Sequence, residues 1–324
     1  MNRMFFMHKE IYEEPKVITD TLNEVYNNYY KYNPLIRDSK NIYVVGSGTS
    51  FHASMYFEML FKNAKAIQAS EFTKRGLDIN ENTLVVGISQ SGESVDTVNA
   101  VTYAKKFGAK ILAITNTRDS TLYKIADQRI LTKAGEERAV AATKSYIAQL
   151  VSIATLYSLY NKNHELLEEI KNLSMKVYEI LSMEGLFRKY GQFLTEKIVV
   201  LGSGILFSTS LEASLKLKET ANLLSEAYPS REFLHGPMQI LDPQTTVIIL
   251  GNSEDEIQVI NKIKHYDSRL IRICEGCEIN IPLTNELLKP ILYIIPVQLI
   301  AFYKALAKGL NPDKPEKLVK VVRE

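Results

Sequence analysis

Two stretches of this chain are near copies of each other. Asn41–Ser47 reads NIYVVGS and Lys197–Ser203 reads KIVVLGS, and a GSG follows from both. The likeness continues downstream, where Thr246–Gly251 answers Leu84–Gly87 and Leu270–Ile273 answers Ile111–Ile114. A repeat on this scale indicates duplicated lobes. Short Val- and Ile-rich runs that stop at Gly or hydroxyl residues read as strands buried on both faces of a parallel sheet. Helix-spaced segments between them complete a βαβ alternation. The expected fold is therefore α/β: two doubly wound lobes with central parallel sheets and helices on both faces. Expected divisions are an N-terminal helical segment (1–37), a first lobe (38–160), a helical connector (161–192) and a second lobe (193–324). With 324 residues, 46% of them hydrophobic, the chain has enough apolar material for two cores.

The most specific stretch is Leu84–Ser94, LVVGISQSGES. Its apolar run ends in Ser89, Gln90, Ser91 and Ser94, with Gly92 among them, and the helical segment Val95–Phe107 follows. Serines at a strand-to-helix turn meet free backbone N–H groups and the positive end of the helix dipole, which together suit an anion. No Lys or Arg lies in the loop, so amides and hydroxyls would do the holding; the plainer alternative is an ordinary capped helix. The exit loop of the first strand, Ile42–Val45, is GSGTS, and its Ser47, Thr49 and Ser50 repeat that chemistry. Gly46 and Gly48 open like a dinucleotide fingerprint, and Glu71 lies downstream, but Phe51 stands where the third Gly belongs. A nicotinamide dehydrogenase is thus a weak reading. In the second lobe GNSEDE replaces GISQSGES, and its acids would repel phosphate. The anion site is expected in the first lobe alone.

A net charge of +2, from 39 basic and 37 acidic residues without a long basic block, argues against nucleic acid as the main partner. No apolar run approaches the roughly 20 residues of a membrane span, and the opening MNRMFFMHKE is no secretory signal. A cytoplasmic protein with no membrane partner is expected. Cys274 and Cys277 form one CxxC with no second ligand pair, and they read as a turn around Gly276 rather than a metal or redox centre. Further expected elements are a helix at Val17–Tyr32 ended by Asn33-Pro34, a strand at Lys110–Thr115, the segment Asp127–Lys133, a buried helix at Val140–Tyr160, an amphipathic connector at Leu166–Leu181 and a helix at Pro296–Gly309.

The second lobe carries the candidate acid–base groups. In LEASLKLKE, Leu211–Glu219, helical spacing puts Glu212, Lys216 and Glu219 on one face. That face is either an exposed ion-paired surface or, following the GSG loop, a proton shuttle beside a crevice. The segment Ser225–Met238, SEAYPSREFLHGPM, is kept irregular by Pro229, Gly236 and Pro237; its His235 is a packed loop residue or an acid–base group. Lys320, in the tail NPDKPEKLVKVVRE, has solvation as its ordinary fate.

GSGTS, SQSGES, the ATK of Ala142–Lys144, LEASLKLKE, SEAY…HGP and DKPEKLVK, in that order, resemble the sugar isomerase (SIS) family, and the N-terminal KEIYEEP extends the likeness over nearly the whole chain. The nearest pattern is that of the isomerase domain of glucosamine-6-phosphate synthase and the related deaminases. The resemblance implies a phosphate cradle of Ser50, Ser89, Gln90, Ser91 and Ser94, and sugar contacts from Thr49, Val140 and Val319. It implies Glu219 as the base between C1 and C2, Lys216 as its partner, His235 as the ring-opening residue supplied by a neighbouring subunit, and Lys320 at the sugar carbonyl. Ser47 stands for a Cys of the synthase pattern, Ser94 for a Thr and Ala142 for a Ser; the last loses a hydroxyl contact. The synthase hydrolyses glutamine with an N-terminal Cys, whereas this sequence opens Met1-Asn2 and has no Cys before residue 274. The expectation is therefore a homodimeric amino-sugar-phosphate deaminase, converting glucosamine 6-phosphate to fructose 6-phosphate and ammonia without metal or organic cofactor. A fructosamine-6-phosphate deglycase, an aldose–ketose isomerase and a phosphosugar-sensing module are the alternatives.

Overall fold

The computed structural model describes residues 5–320. Met1-Asn2 and the last four tail residues lie outside that range. The chain divides into two compact units. One comprises Glu13–Glu137, Lys144–Ser174 and the tail from Val319; the other comprises the N-terminal residues through Tyr12, Arg138–Thr143 and Met175–Leu318.

In chain order the elements are α1 (Phe6–Tyr12), α2 (Glu14–Arg37), β1 (Asn41–Gly46), α3 (Thr49–Leu60), β2 (Ala64–Gln68), β3 (Thr83–Ser89), α4 (Val95–Lys106), β4 (Lys110–Thr115), α5 (Thr121–Ile125), β5 (Gln128–Leu131) and α6 (Lys144–Tyr160). After them come α7 (His164–Leu181), α8 (Glu184–Phe193), β6 (Lys197–Gly202), α9 (Leu206–Ala221), β7 (Leu224–Tyr228), β8 (Thr245–Leu250), α10 (Glu254–Ile263), β9 (Arg269–Cys274), β10 (Ile279–Asn280) and α11 (Lys289–Ala307). The first unit holds a parallel sheet of order β2-β1-β3-β4-β5, and the second a parallel sheet whose order, β7-β6-β8-β9-β10, is the same. The duplication read from the sequence is thus a duplication of topology. In this order the chain reverses between the first and third strands of each sheet, and open α/β sheets bind ligands at the carboxyl ends of strands beside such a reversal.

Alternate residues of each strand supply the two faces of its sheet. Val45, Val85, Ile111 and Ala113 pack with Val101 and Ala104 of α4 and Leu122 of α5. In the other sheet Val199, Leu201, Val247 and Ile249 pack with Val259 and Ile263 of α10. Their neighbours Val44, Val86, Leu112, Val200, Ile248 and Leu250 are equally buried on the opposite faces. Burial on both sides explains why these strands read as unbroken apolar runs.

Several elements depart from expectation. Strand β2 went unread, and residues 225–228, expected to be irregular, pair as β7 with β6. Helix α2 runs past Asn33-Pro34 to Arg37, and α11 begins at Lys289 with Pro296 in its interior. A proline removes one hydrogen bond, and α11 outweighs that loss by burying nearly its whole circumference. The segment Glu286–Ala307 is also long and apolar enough by composition to cross a membrane, contrary to the expectation that no apolar run approaches that length; 89% of its 18-residue apolar window is buried inside the protein. Helix α6 starts at Lys144, not Val140, because the preceding backbone is engaged elsewhere: Arg138 and Ala139 N–H donate to Glu10 (2.5 and 3.3 Å) and Val140 N–H to the Asp313 carbonyl (3.1 Å). The CxxC forms the expected turn, with Gly276 at φ +73°, and its two sulfurs are bonded as a disulfide, which the sequence reading did not anticipate.

Gly191 lets α8 approach α11 closely in the second unit. A Cβ there would lie 2.6 Å from Tyr303 Cβ and 2.8 Å from the Ile300 carbonyl oxygen. Gly191→Ala should therefore force α8 from α11 and cost about 1–3 kcal/mol in urea denaturation; an unchanged midpoint would contradict the contact.

Candidate active site

The hydroxyl loops occupy the carboxyl ends of β1 and β3, which are hydrogen-bonded neighbours in the first unit. Ser47, Thr49 and Ser50 leave β1, while Ser89, Gln90, Ser91 and Ser94 leave β3, so the structure brings these two sets to adjacent strand ends. Much of their side-chain chemistry shapes the turn. Ser89 Oγ accepts from Gly92 N–H and Ser91 Oγ from Glu93 N–H, both at 3.1 Å, and the buried Ser50 Oγ accepts from Gln149 at 3.0 Å. Gly92 sits at φ +66°, where a Cβ would come within 2.1 Å of Ser120 Oγ, so only glycine fits. The acid of the loop is turned away: Glu93 accepts the N–H and the hydroxyl of Thr121 at the start of α5, both at 2.8 Å. Ser94 is the N-cap of α4, yet among the described residues no side chain caps that helix. Its first N–H groups are therefore left for another acceptor.

The corresponding helix start in the second unit is filled by the protein itself. Ser253 and Glu256 form a capping box on α10, and the Glu256 carboxylate accepts from Ser253 N–H (3.0 Å) and Ser230 Oγ (2.6 Å). Burial alone would raise its pKa, but these and other hydroxyl donors outweigh burial and hold the carboxyl below its ordinary range. The acids of GNSEDE thus do more than repel an anion, because one of them takes its place. Ser253-x-x-Glu256 is a sequence-level capping signature that would have revealed this.

The acid–base cluster lies on α9. Lys216 and Glu212 are completely buried, and the Lys216 Nζ lies 2.5 Å from Glu219 and 3.3 Å from Glu212. The exposed ion-paired face considered from sequence is excluded, because α9 packs against β6, β7 and α11. Burial pulls the Lys216 pKa down, but the two carboxylates outweigh it and raise it above the usual lysine range. Glu219 is 23% exposed and opens on a cleft of about 570 Å³ whose other walls include Asn222, Asn311, Lys314 and Leu318. Sequence reasoning put Glu212 on this face without giving it a role.

His235 is not brought to Glu219 within this unit. It is exposed and lines a separate groove with Arg231, Lys262 and His265. Val319 is exposed, and the Val140 N–H is already used, as described above. Lys320 is not a freely solvated tail lysine: its Nζ donates to Glu137 at 2.8 Å, in the unit that carries the hydroxyl loops. Nothing in the sequence singled out Glu137.

The SIS domain pattern matches residues 35–159 and again 195–303. The chain belongs to the SIS family. This SIS protein is 34% identical to the glutamine–fructose-6-phosphate aminotransferase (isomerizing) of Sulfurisphaera tokodaii over 98% of its own length and 56% of the relative's. It is likewise 34% identical to that of Clostridium acetobutylicum, covering 58% of that chain. The chain thus spans little more than half the length of these curated relatives. Among solved structures, it superposes on the C-terminal domain of the Francisella tularensis glucosamine-fructose-6-phosphate aminotransferase with a TM-score of 0.88, at 27% identity and over 97% and 99% of the two chains. For the glucosamine-6-phosphate deaminase of Thermotoga maritima the TM-score is 0.76, at 26% identity and over 95% and 98%.

Two outcomes test this electrostatic picture. Lys216→Met leaves two carboxylates around an apolar side chain and should cost about 3–5 kcal/mol of stability at neutral pH, much of it recovered when Glu212→Gln is added; additive losses would contradict the coupling. Glu256→Gln should lose about 1–2 kcal/mol at neutral pH. A carboxyl held low in the folded state stabilises above its unfolded pKa, so the deficit against wild type should shrink as pH falls below about 4. A deficit independent of pH would show that Glu256 caps α10 without its charge.

Proposed function

We propose that this SIS protein is a glucosamine-6-phosphate deaminase. The observation that carries the reading is Glu219, a carboxylate open to a cleft and held at 2.5 Å by the fully buried Lys216 ammonium. In the proposed reaction the hydroxyl loops after β1 and β3 hold the substrate phosphate through amides and hydroxyls. His235 assists opening of the sugar ring. Glu219 then removes the proton from C2 of the open-chain aldehyde and delivers a proton to C1, while an amine proton passes to O1, so that the aldehyde becomes a C1 alcohol and the C2 amine an imine. Water adds to that imine and ammonia leaves, giving fructose 6-phosphate. The likeness to the Thermotoga maritima protein, a glucosamine-6-phosphate deaminase, supports this substrate and direction.

The names of the more similar relatives favour a second reading, in which the same C1–C2 proton transfer runs toward glucosamine 6-phosphate as the isomerase half of an aminotransferase. Because His235 lines a groove apart from the Glu219 cleft, we assign it to the active site of a second copy in a homodimer.

Incubation with glucosamine 6-phosphate should release ammonia and fructose 6-phosphate, and Glu219→Gln should abolish release. Ammonia release equal in the two proteins, or none from either, would reject the deaminase. Mixing the inactive Glu219→Gln and His235→Ala proteins should restore activity through mixed dimers; failure to do so would place His235 and Glu219 in one subunit's site, or His235 outside it.

A further inference from the structure

Two motifs from opposite ends of the chain meet beside the Glu219 cleft. Asp313, the acid that opens DKPEKLVK, is buried, and its carboxylate receives the start of α1. Phe6 N–H donates to its Oδ2 at 2.9 Å and Met7 N–H to its Oδ1 at 2.8 Å. These are first-turn N–H groups, which a helix cannot satisfy from within. The main chain of Asp313 is fixed as well, because its N–H donates to Asn311 Oδ1 at 3.0 Å and its carbonyl accepts from Val140 N–H at 3.1 Å. Directly after it, residues 314–318 form one wall of the cleft. Met7, completely buried, also reaches another wall: Thr220, next to Glu219 on α9, donates its hydroxyl to Met7 Sδ at 3.8 Å. One residue of α1 thus touches both the anchor of the tail wall and the helix that carries Glu219. The far end of α1 is held independently. Glu184 accepts from the Tyr12 hydroxyl at 2.7 Å and lies 2.6 Å from His8 Nε2, and the Phe302 ring packs against Phe5 and His8.

Bonds of this kind matter most when they are left unmade, since a buried N–H without an acceptor costs more than the bond itself contributes. Asp313 supplies two acceptor oxygens, one for each N–H, whereas an amide side chain in its place would supply one. We infer that Asp313 is a positioning residue for Glu219. By fixing the first turn of α1, it sets residues 314–318 and the last turn of α9 relative to one another around the cleft. Its role in turnover rests on the deaminase reading; its hold on α1 and the cleft walls does not.

Hydrogen exchange followed by mass spectrometry tests the anchoring without substrate. In Asp313→Asn, peptides covering residues 5–12, 216–222 and 309–318 should exchange several-fold faster than in wild type, while α10 stays unchanged. Unchanged exchange in 5–12 would overturn the anchor, and a rise confined to 5–12 would sever it from the cleft. An equal rise in α10 would reduce Asp313 to general stabilisation and reject the inference. The second arm uses glucosamine 6-phosphate, well below the variant's own melting temperature, so that loss of folded protein does not contribute. There Asp313→Asn should lower kcat about tenfold or more. KM should change by less than about threefold, because the proposed phosphate grip lies on the hydroxyl loops. The isotope effect on kcat from deuterium at C2 should be at least as large as in wild type, as it must be when proton transfer to Glu219 is the step that slows. A smaller isotope effect, or a kcat within about twofold of wild type, would count decisively against positioning. If wild type turns over no amino-sugar phosphate, the deaminase reading fails, and the exchange pattern alone decides whether Asp313 sets the cleft.

Discussion

A single buried ammonium organises the chemistry of this molecule. Lys216, on α9 and closed off from solvent, cannot stand there as an isolated charge, and Glu212 and Glu219 neutralise it from one turn before and one turn after. Glu212 is buried with it, so that side of the pair is fixed. Glu219 is drawn to the same cation yet opens on a cleft. The result is a carboxylate held in place by the cation while it stays accessible from the cleft. A surface pair of the same composition would add little stability and fix little geometry.

Duplication explains why such a group can coexist with an anion cradle on one chain. Both units use one strand order and place loops at equivalent strand ends. At the first, Glu93 is tethered to α5 and the start of α4 has no side-chain cap among the described residues. At the second, Ser253 and Glu256 close α10. One helix start therefore remains available to a ligand while its counterpart is satisfied internally. A difference of a few residues in a loop is enough for two copies of one topology to diverge in chemistry.

What could be read from sequence follows from how local each signal is. Strands β1, β3, β4, β6, β8 and β9 were legible because burial on both faces makes them continuous apolar runs. Strands β2 (AKAIQ) and β7 (LSEAY) mix polar and apolar residues, and β7 was hidden by the prolines and glycine that follow it. The prolines at 34 and 296 misled because helix termination was judged locally, whereas burial of α11 decides its extent. The spacing of Glu212, Lys216 and Glu219 gave their common face, but their burial depends on packing against β6, β7 and α11. The pair Glu137–Lys320 joins residues far apart in the chain, a contact that no local pattern encodes. Ser253-x-x-Glu256 was visible and overlooked, since its acids were weighed only as repulsive charges.

The central claim is that Glu219 moves a proton at C2 of an amino-sugar phosphate. Glucosamine 6-phosphate carrying deuterium at C2 tests it most directly, with the label followed by NMR as ammonia forms. Deuterium should leave C2 as ammonia is released by wild type and remain there with Glu219→Gln. A sugar product that keeps its deuterium at C2 after losing nitrogen, or undiminished loss of label from Glu219→Gln, would contradict the account.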